Sequence, residues 1–261
     1  MATLPPAQRH EIPAAVLAKA FLAAGRLARE QSDLEQAAVQ LNESLALYRD
    51  LEDWHGIALV LGYLGVIAYD KEDFGSAALL HNESLSLRRA LGDHWGVATT
   101  LSNLGEVARQ QGNLEEAAVY YDESLTLCRR LGNPQGVAVT LTNLGMALRD
   151  QGQLEQATAL LGESLTLWQQ LEERSGIAES LEALAGVAVD RGQSVRAARL
   201  GGTAERLRTL IGVPLPPADR TRYQRYLDRA QAQLGSTAFA RAWAEGQAMS
   251  VDQAVGEAIR S

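Results

Sequence analysis

Four serines stand at one register, Ser44, Ser84, Ser124 and Ser164, each preceded by a glutamate (Glu43, Glu83, Glu123, Glu163). A serine nucleophile needs a neighbouring base and usually a strained Gly-x-Ser-x-Gly elbow, and none of the four has that surrounding. Four copies of one position read instead as small residues between packed helices. The histidines, His10, His55, His81 and His94, lack the spacing of a metal site. His55 and His94 fall near helix starts and read as solvent-facing. The single cysteine, Cys128, aligns with Tyr48, Arg88 and Trp168, and so variable a position reads as partly exposed surface. Paired acids such as Glu115-Glu116 and Glu172-Glu173 sit near helix ends, where such charges meet the helix dipole. The sequence therefore offers no catalytic, cofactor-binding or metal-binding set, and it reads as non-enzymatic.

What positions these residues is a repeat of 40 residues without slippage. Glu-Ser-Leu recurs at Glu43, Glu83, Glu123 and Glu163. Gly-Ile/Val-Ala recurs at Gly56, Gly96, Gly136 and Gly176. A small residue returns at Gly25, Gly65, Gly105, Gly145 and Ala185, and an alanine pair begins twelve residues later at Ala37, Ala77, Ala117 and Ala197, with Ala157-Thr158 in the fourth copy. Five units follow, over residues 13–212, with an N-terminal extension over 1–12 and a tail over 213–261. Within a unit, Ile57, Ala58, Leu61, Leu64, Gly65 and Ala68 mark one face of a first helix. Phe74, Ala77, Ala78, Leu85, Leu87 and Leu91 lie on a second. Leu91-Gly92-Asp93 and Leu131-Gly132-Asn133 end second helices with glycine at the left-handed position. Asn113 with Glu116, and Ser250 with Gln253, have capping-box spacing. Glycine inside a helix costs about 1 kcal/mol relative to alanine. The mid-helix glycines are therefore expected where the first helix approaches the alanine pair closely.

The net charge is −8, but it is unevenly spread: residues 1–194 carry 14 basic and 26 acidic groups, and 195–261 carry 10 and 6. The acidic balance argues against broad nucleic-acid binding. A basic stripe, Arg222, Arg225, Tyr226 and Arg229, is interrupted by Asp219 and Asp228 and reads as a solvated face steered toward the acidic repeats. No apolar run reaches the roughly 18 residues of a membrane span, the first residues lack a secretory signal, and one cysteine suits a reducing compartment. A cytoplasmic protein is the expectation. In the tail, helices are expected over about 218–234 and 237–247, with a third opening at Ser250. Phe239, Ala242, Trp243 and Met249 should dock on the last repeat and close its open end.

Leu61, Leu64, Gly65, Ala68, Ala77 and Ser84 stand at the spacing of the tetratricopeptide-repeat signature, and the unit resembles the 40-residue form of that repeat. That implies an all-α, right-handed solenoid of five helix pairs closed by a helical cap. The tail carries a second resemblance, in Ala197 to Glu205, Pro214 to Pro217, Arg220, Phe239 to Gly246 and Met249-Ser250. It is similar to the end of bacterial signalling ATPases and LuxR-like transcriptional regulators. No Gly-x-x-x-x-Gly-Lys-Ser/Thr loop occurs and no length remains for a helix-turn-helix, so this likeness implies the sensing or interaction arm alone.

In tetratricopeptide arrays the first helices line a concave groove. The resemblance places Lys19, Leu22, Ala23, Arg26, Arg29 and Glu30 of the first unit on that surface, and Leu59, Gly62, Tyr63, Val66, Tyr69 and Asp70 of the second. It adds Thr99, Ser102, Asn103, Glu106, Arg109 and Gln110 from the third, Val139, Thr142, Asn143, Met146, Arg149 and Asp150 from the fourth, and Glu179, Glu182, Ala183, Gly186, Val189 and Asp190 from the fifth. The expected ligand is a protein or peptide segment, with apolar contact from Tyr63, Tyr69 and Met146. Polar contact would come from Asn103, Asn143, Arg109 and Arg149. Lys19 is the only inward lysine, which argues against a carboxylate clamp. The competing occupants are the chain's own tail or a second copy in a homodimer. No membrane partner and no cofactor are expected.

Overall fold

The structure is a computed structural model that describes residues 12–259, except Pro214 and Pro216. The expected N-terminal extension lies outside the described residues, apart from Ile12. Thirteen α-helices and no strands are found among the described residues. The chain forms two compact units, Met1–Gln111 and Gly112–Ser261. The first holds α1 (Ala14–Glu30), α2 (Leu34–Asp50), α3 (Trp54–Asp70), α4 (Phe74–Leu91) and α5 (His94–Gln110). The second holds α6 (Leu114–Arg130), α7 (Pro134–Asp150), α8 (Leu154–Gln170), α9 (Arg174–Asp190), α10 (Ser194–Ile211), α11 (Pro217–Leu234), α12 (Ser236–Ala248) and α13 (Val251–Ile259).

In each unit, consecutive helices pack as antiparallel pairs, and first helices also touch: α1 on α3, α3 on α5, and α7 on α9. The core lies between the layers of first and second helices. Leu41, Leu45, Tyr48, Ile57, Val60 and Leu61 fill it in the first unit, and Leu161, Leu165, Trp168, Leu181 and Leu200 in the second.

The turn geometry explains the punctuation of the sequence. Every twentieth residue from Ser32 to Gly212 takes a left-handed backbone. Six of these positions are glycine (Gly92, Gly112, Gly132, Gly152, Gly192, Gly212), but Ser32, Glu52, Glu72 and Glu172 adopt φ between 51° and 63°. A side chain in that region costs about 1–2 kcal/mol, partly offset by the greater unfolded freedom of glycine. Glu72→Gly should therefore stabilise the protein by about 0.5–1 kcal/mol. The shift in urea midpoint checks it.

Asp33, Asp53, Asp73, Asp93 and Asn133 cap their helices by accepting from the backbone N–H three residues on, at 2.9–3.0 Å. Asn113 does not; its side chain makes no cap bond, so the expected box with Glu116 is absent. The box at Ser250 forms in both directions: its N–H donates to Gln253 Oε1 at 2.8 Å, and Gln253 N–H donates to Ser250 Oγ at 3.1 Å.

Two further sequence expectations change on contact with the structure. Cys128 is buried, 3% exposed, as are Tyr48 and Trp168. The reason is a glycine eight residues on, at the start of the next first helix. A Cβ on Gly56 would collide with the Tyr48 ring, one on Gly136 with Cys128 Sγ at 2.7 Å, and one on Gly176 with the Trp168 indole. The constant glycine supplies the room that lets its partner vary. Burial pushes the Cys128 thiol above its ordinary range, which leaves it protonated and unreactive. The mid-helix glycines likewise face less the alanine pair than the large side chain sixteen residues on. A Cβ on Gly25 would lie 2.7 Å from Leu41 Cγ, and one on Gly145 would lie 2.7 Å from Leu161 Cγ. The backbone oxygens of Ala37 and Ala157 lie just behind, at 3.2 and 3.4 Å.

Candidate functional site

The repeated serines are structural. Ser44 Oγ donates to Ala18 O at 2.8 Å, Ser84 to Ala58 O at 2.7 Å and Ser164 to Ala138 O at 2.7 Å, each one bolting a second helix to its own first helix. All three are fully buried, and each bond contributes about 1 kcal/mol. No group of three or more His, Cys, Asp or Glu residues that could hold a metal ion occurs among the described residues.

On the first-helix face of the Met1–Gln111 unit, Arg26 stacks its guanidinium over the Tyr63 ring, 5.3 Å from the centroid. Arg26 and Lys19 are exposed and form no ion pair among the described residues. Asn103, at the register of Tyr63 one repeat on, is half-buried, and its amide makes no hydrogen bond among the described residues. Tyr69 is differently placed. Its hydroxyl donates to Glu106 Oε1 at 2.7 Å and accepts from Gln110 at 2.9 Å. Arg109 closes on the same carboxylate at 2.5 and 3.0 Å, with a side chain only 2% exposed.

Expectation and structure part here. Arg109 and Arg149, expected at the ligand, have buried side chains that are already paired within the chain. In the Gly112–Ser261 unit, Arg149 Nε donates to Asp190 at 2.5 Å, and its guanidinium lies 3.7 Å from the Tyr226 ring centre. The pairing follows an offset of 41 residues: Arg29 to Asp70 at 2.6 Å, Gln110 to Tyr69, Arg149 to Asp190. A residue at the end of one first helix staples the next. Burial makes Arg149 depend on Asp190, since a lone charge there would be left without water, whereas Arg29 pairs with Asp70 at the surface. Glu182 is also committed, to Arg208 of α10 at 2.5 and 2.7 Å. Met146 packs partly buried against the core of this unit, and Asn143 is half-buried.

The tail supplies what sequence reasoning did not locate. Helix α12 packs on α10, with Phe239 and Trp243 stacked at 5.5 Å and Ala242 buried, as the apolar stripe implied. Helix α11 packs on both α10 and α9, and reaches Arg149 through Tyr226 and Asp190 through Arg229, at 2.8 Å.

An all-helical array of 40-residue pairs, with a variable first-helix face on an invariant scaffold, defines a helical-repeat protein. The tetratricopeptide repeat family matches at residues 96–161 and 136–209, so the chain carries tetratricopeptide repeats there. Among solved structures it is similar to BtubC (BKLC) from P. vanneervenii, with 22% identity, a TM-score of 0.63, and coverage of 78% of this chain and 84% of that one. It is also similar to a Rap protein complexed with Competence and Sporulation Factor, at 12% identity and a TM-score of 0.67, covering 95% of this chain and 78% of that one. At these identities the likeness is one of fold. No curated protein matches the sequence significantly. No helix among the described residues is long and apolar enough to cross a membrane.

Proposed function

We propose that this chain is a non-catalytic interaction module that holds a protein or peptide segment against its first-helix faces. The observation that carries this reading is the uncommitted set on the Met1–Gln111 unit: Lys19, Arg26 on Tyr63, and the Asn103 amide. Neighbouring polar side chains on the same helices satisfy one another, as Arg29 does Asp70 and Tyr69 does Glu106. Lys19, the Arg26–Tyr63 stack and the Asn103 amide therefore offer cations, an aromatic edge and an amide to an outside chain, the components that fix a segment's register. The Rap neighbour, solved in complex with a factor, shows a fold of this kind holding another molecule.

Affinity capture with the full chain tests it. Wild type should retain a partner that an Arg26→Ala/Asn103→Ala variant of equal helicity loses at least tenfold. Equal capture by both overturns the assignment of this face.

A second reading is an effector-sensing arm of a bacterial STAND-type ATPase or LuxR-like regulator. What favours it is that the tail residues of that resemblance, Gly201, Gly202, Trp243 and Gly246, meet at one helix crossing. A neighbouring coding segment with a phosphate-binding loop would select it.

A further inference from the structure

Arg149 does not lie along its own helix. It crosses α9 above Gly186, where a Cβ would come within 2.7 Å of its Cζ. Its far end meets two groups, the Asp190 carboxylate on α9 and the face of Tyr226 on α11. Asp190 in turn accepts from Arg229 on α11. Tyr226 and Ala230 complete the contact by packing with Ala188 and Val189 of α9. These wall residues stand on the face that the tetratricopeptide resemblance assigns to ligand, and here a helix is seated on it.

The two long tail helices are held by unlike means. Helix α12 meets α10 backbone to backbone, at Gly202 and Gly246, which leaves no slack. Helix α11 is held through side chains. It exposes Gln224, Arg225, Asp228 and Gln231 to solvent, and it buries the Tyr223 hydroxyl without a hydrogen-bond partner. That orphan group taxes the seated state. Gly212 and Gly235, both left-handed, stand on either side of the helix. A competing helix would have to reproduce the Tyr226 cation–π contact, the Arg229 ion pair and the apolar packing of Tyr226 and Ala230, while the hydrogen bond between Ser194 and Gln233 would tether the displaced α11 to α10.

We propose that the α7–α9 wall around Arg149, Gly186 and Asp190 is a helix-binding site, and that α11 is its built-in, displaceable occupant. The partner it fits is a helix that presents tyrosine and arginine three residues apart, as Tyr226 and Arg229 do. This inference is independent of the reading of the Met1–Gln111 face.

The probe is a fluorescein-labelled peptide of residues 217–234, added to the full chain. A Tyr226→Ala/Arg229→Ala variant, which loses both wall contacts of its own α11, should bind the peptide at least tenfold more tightly than wild type. Adding Asp190→Asn to that variant should remove the gain. Hydrogen exchange supplies a readout that needs no variant: in wild type, α11 amides should exchange at least tenfold faster than those of α12. No gain in peptide binding by an opened, folded variant overturns the proposal. So does protection of α11 equal to that of α12, which would make it a permanent part of the cap.

Discussion

Acidification from about pH 7 to about pH 5 should cost the Met1–Gln111 unit about 2 kcal/mol through one residue, His81. His81 is 1% exposed, its ring lies over Gly65, and its Nδ1 is buried without a hydrogen-bond partner. Burial first, and the Arg88 cation second, bring its pKa down from 6.5 to about 4. The imidazole is thus neutral in the fold at pH values where the unfolded chain has protonated it. Between about 6.5 and 4 the unfolded state binds the extra proton, so stability falls as pH falls, and the contribution is complete only above 6.5. The full gap corresponds to about 3 kcal/mol. The equivalent positions in the first and fourth repeats are Leu41 and Leu161, each packed over the matching glycine. His81→Leu should therefore fold, be more stable than wild type at about pH 5, and lose most of the extra slope. Urea midpoints at the two pH values measure it; a slope unchanged in the variant would mean that His81 is charged or solvated in the fold.

The architecture was legible because a 40-residue period constrains every pair at once. The serine at each Glu-Ser-Leu had to face its own first helix, and Ser44, Ser84 and Ser164 all do so through the same carbonyl position. The fate of the candidate site was only partly legible. Periodicity says which residues share a face, but not whether neighbours on that face satisfy one another. Arg149 looked available because its partner, Asp190, lies 41 residues away rather than within its own helix. The signal existed: Arg29 and Asp70 repeat the same offset and the same complementarity. For Tyr226 there was none, since the period ends at Gly212 and nothing in the spacing joins α11 to α7. Cys128 was misplaced because variability usually marks a surface; here the variation is absorbed by a constant glycine opposite.

Gly246→Val should have the largest destabilising effect of any single change in the tail, at least about 3 kcal/mol. A Cβ at that position would fall within van der Waals contact of the Arg199 backbone, 2.7 Å from both its carbonyl carbon and its Cα. The reverse holds at Gly202, where a Cβ would lie 3.1 Å from the Trp243 carbonyl carbon and 3.2 Å from Gln247 N. Backbone against backbone leaves no rotamer to relieve the clash, so the helices must separate. Separation breaks the bond from Thr203 Oγ1 to Gly246 O at 2.7 Å and the contact of Arg206 with Met249 O. It also loosens the Arg199–Glu245 pair at 2.7 Å and the indole bond from Trp243 Nε1 to Glu205 at 2.9 Å. Gly162→Ala is the matched control in the same unit. Its Cβ would find only Ile259 Cγ1, at 4.0 Å, so this change should stabilise by about 0.5–1 kcal/mol through helix propensity. Thermal unfolding followed by tryptophan fluorescence separates the two, because Trp243 reports directly on the crossing. If both substitutions shift the midpoint alike, the glycines at the crossing are not what holds the cap on.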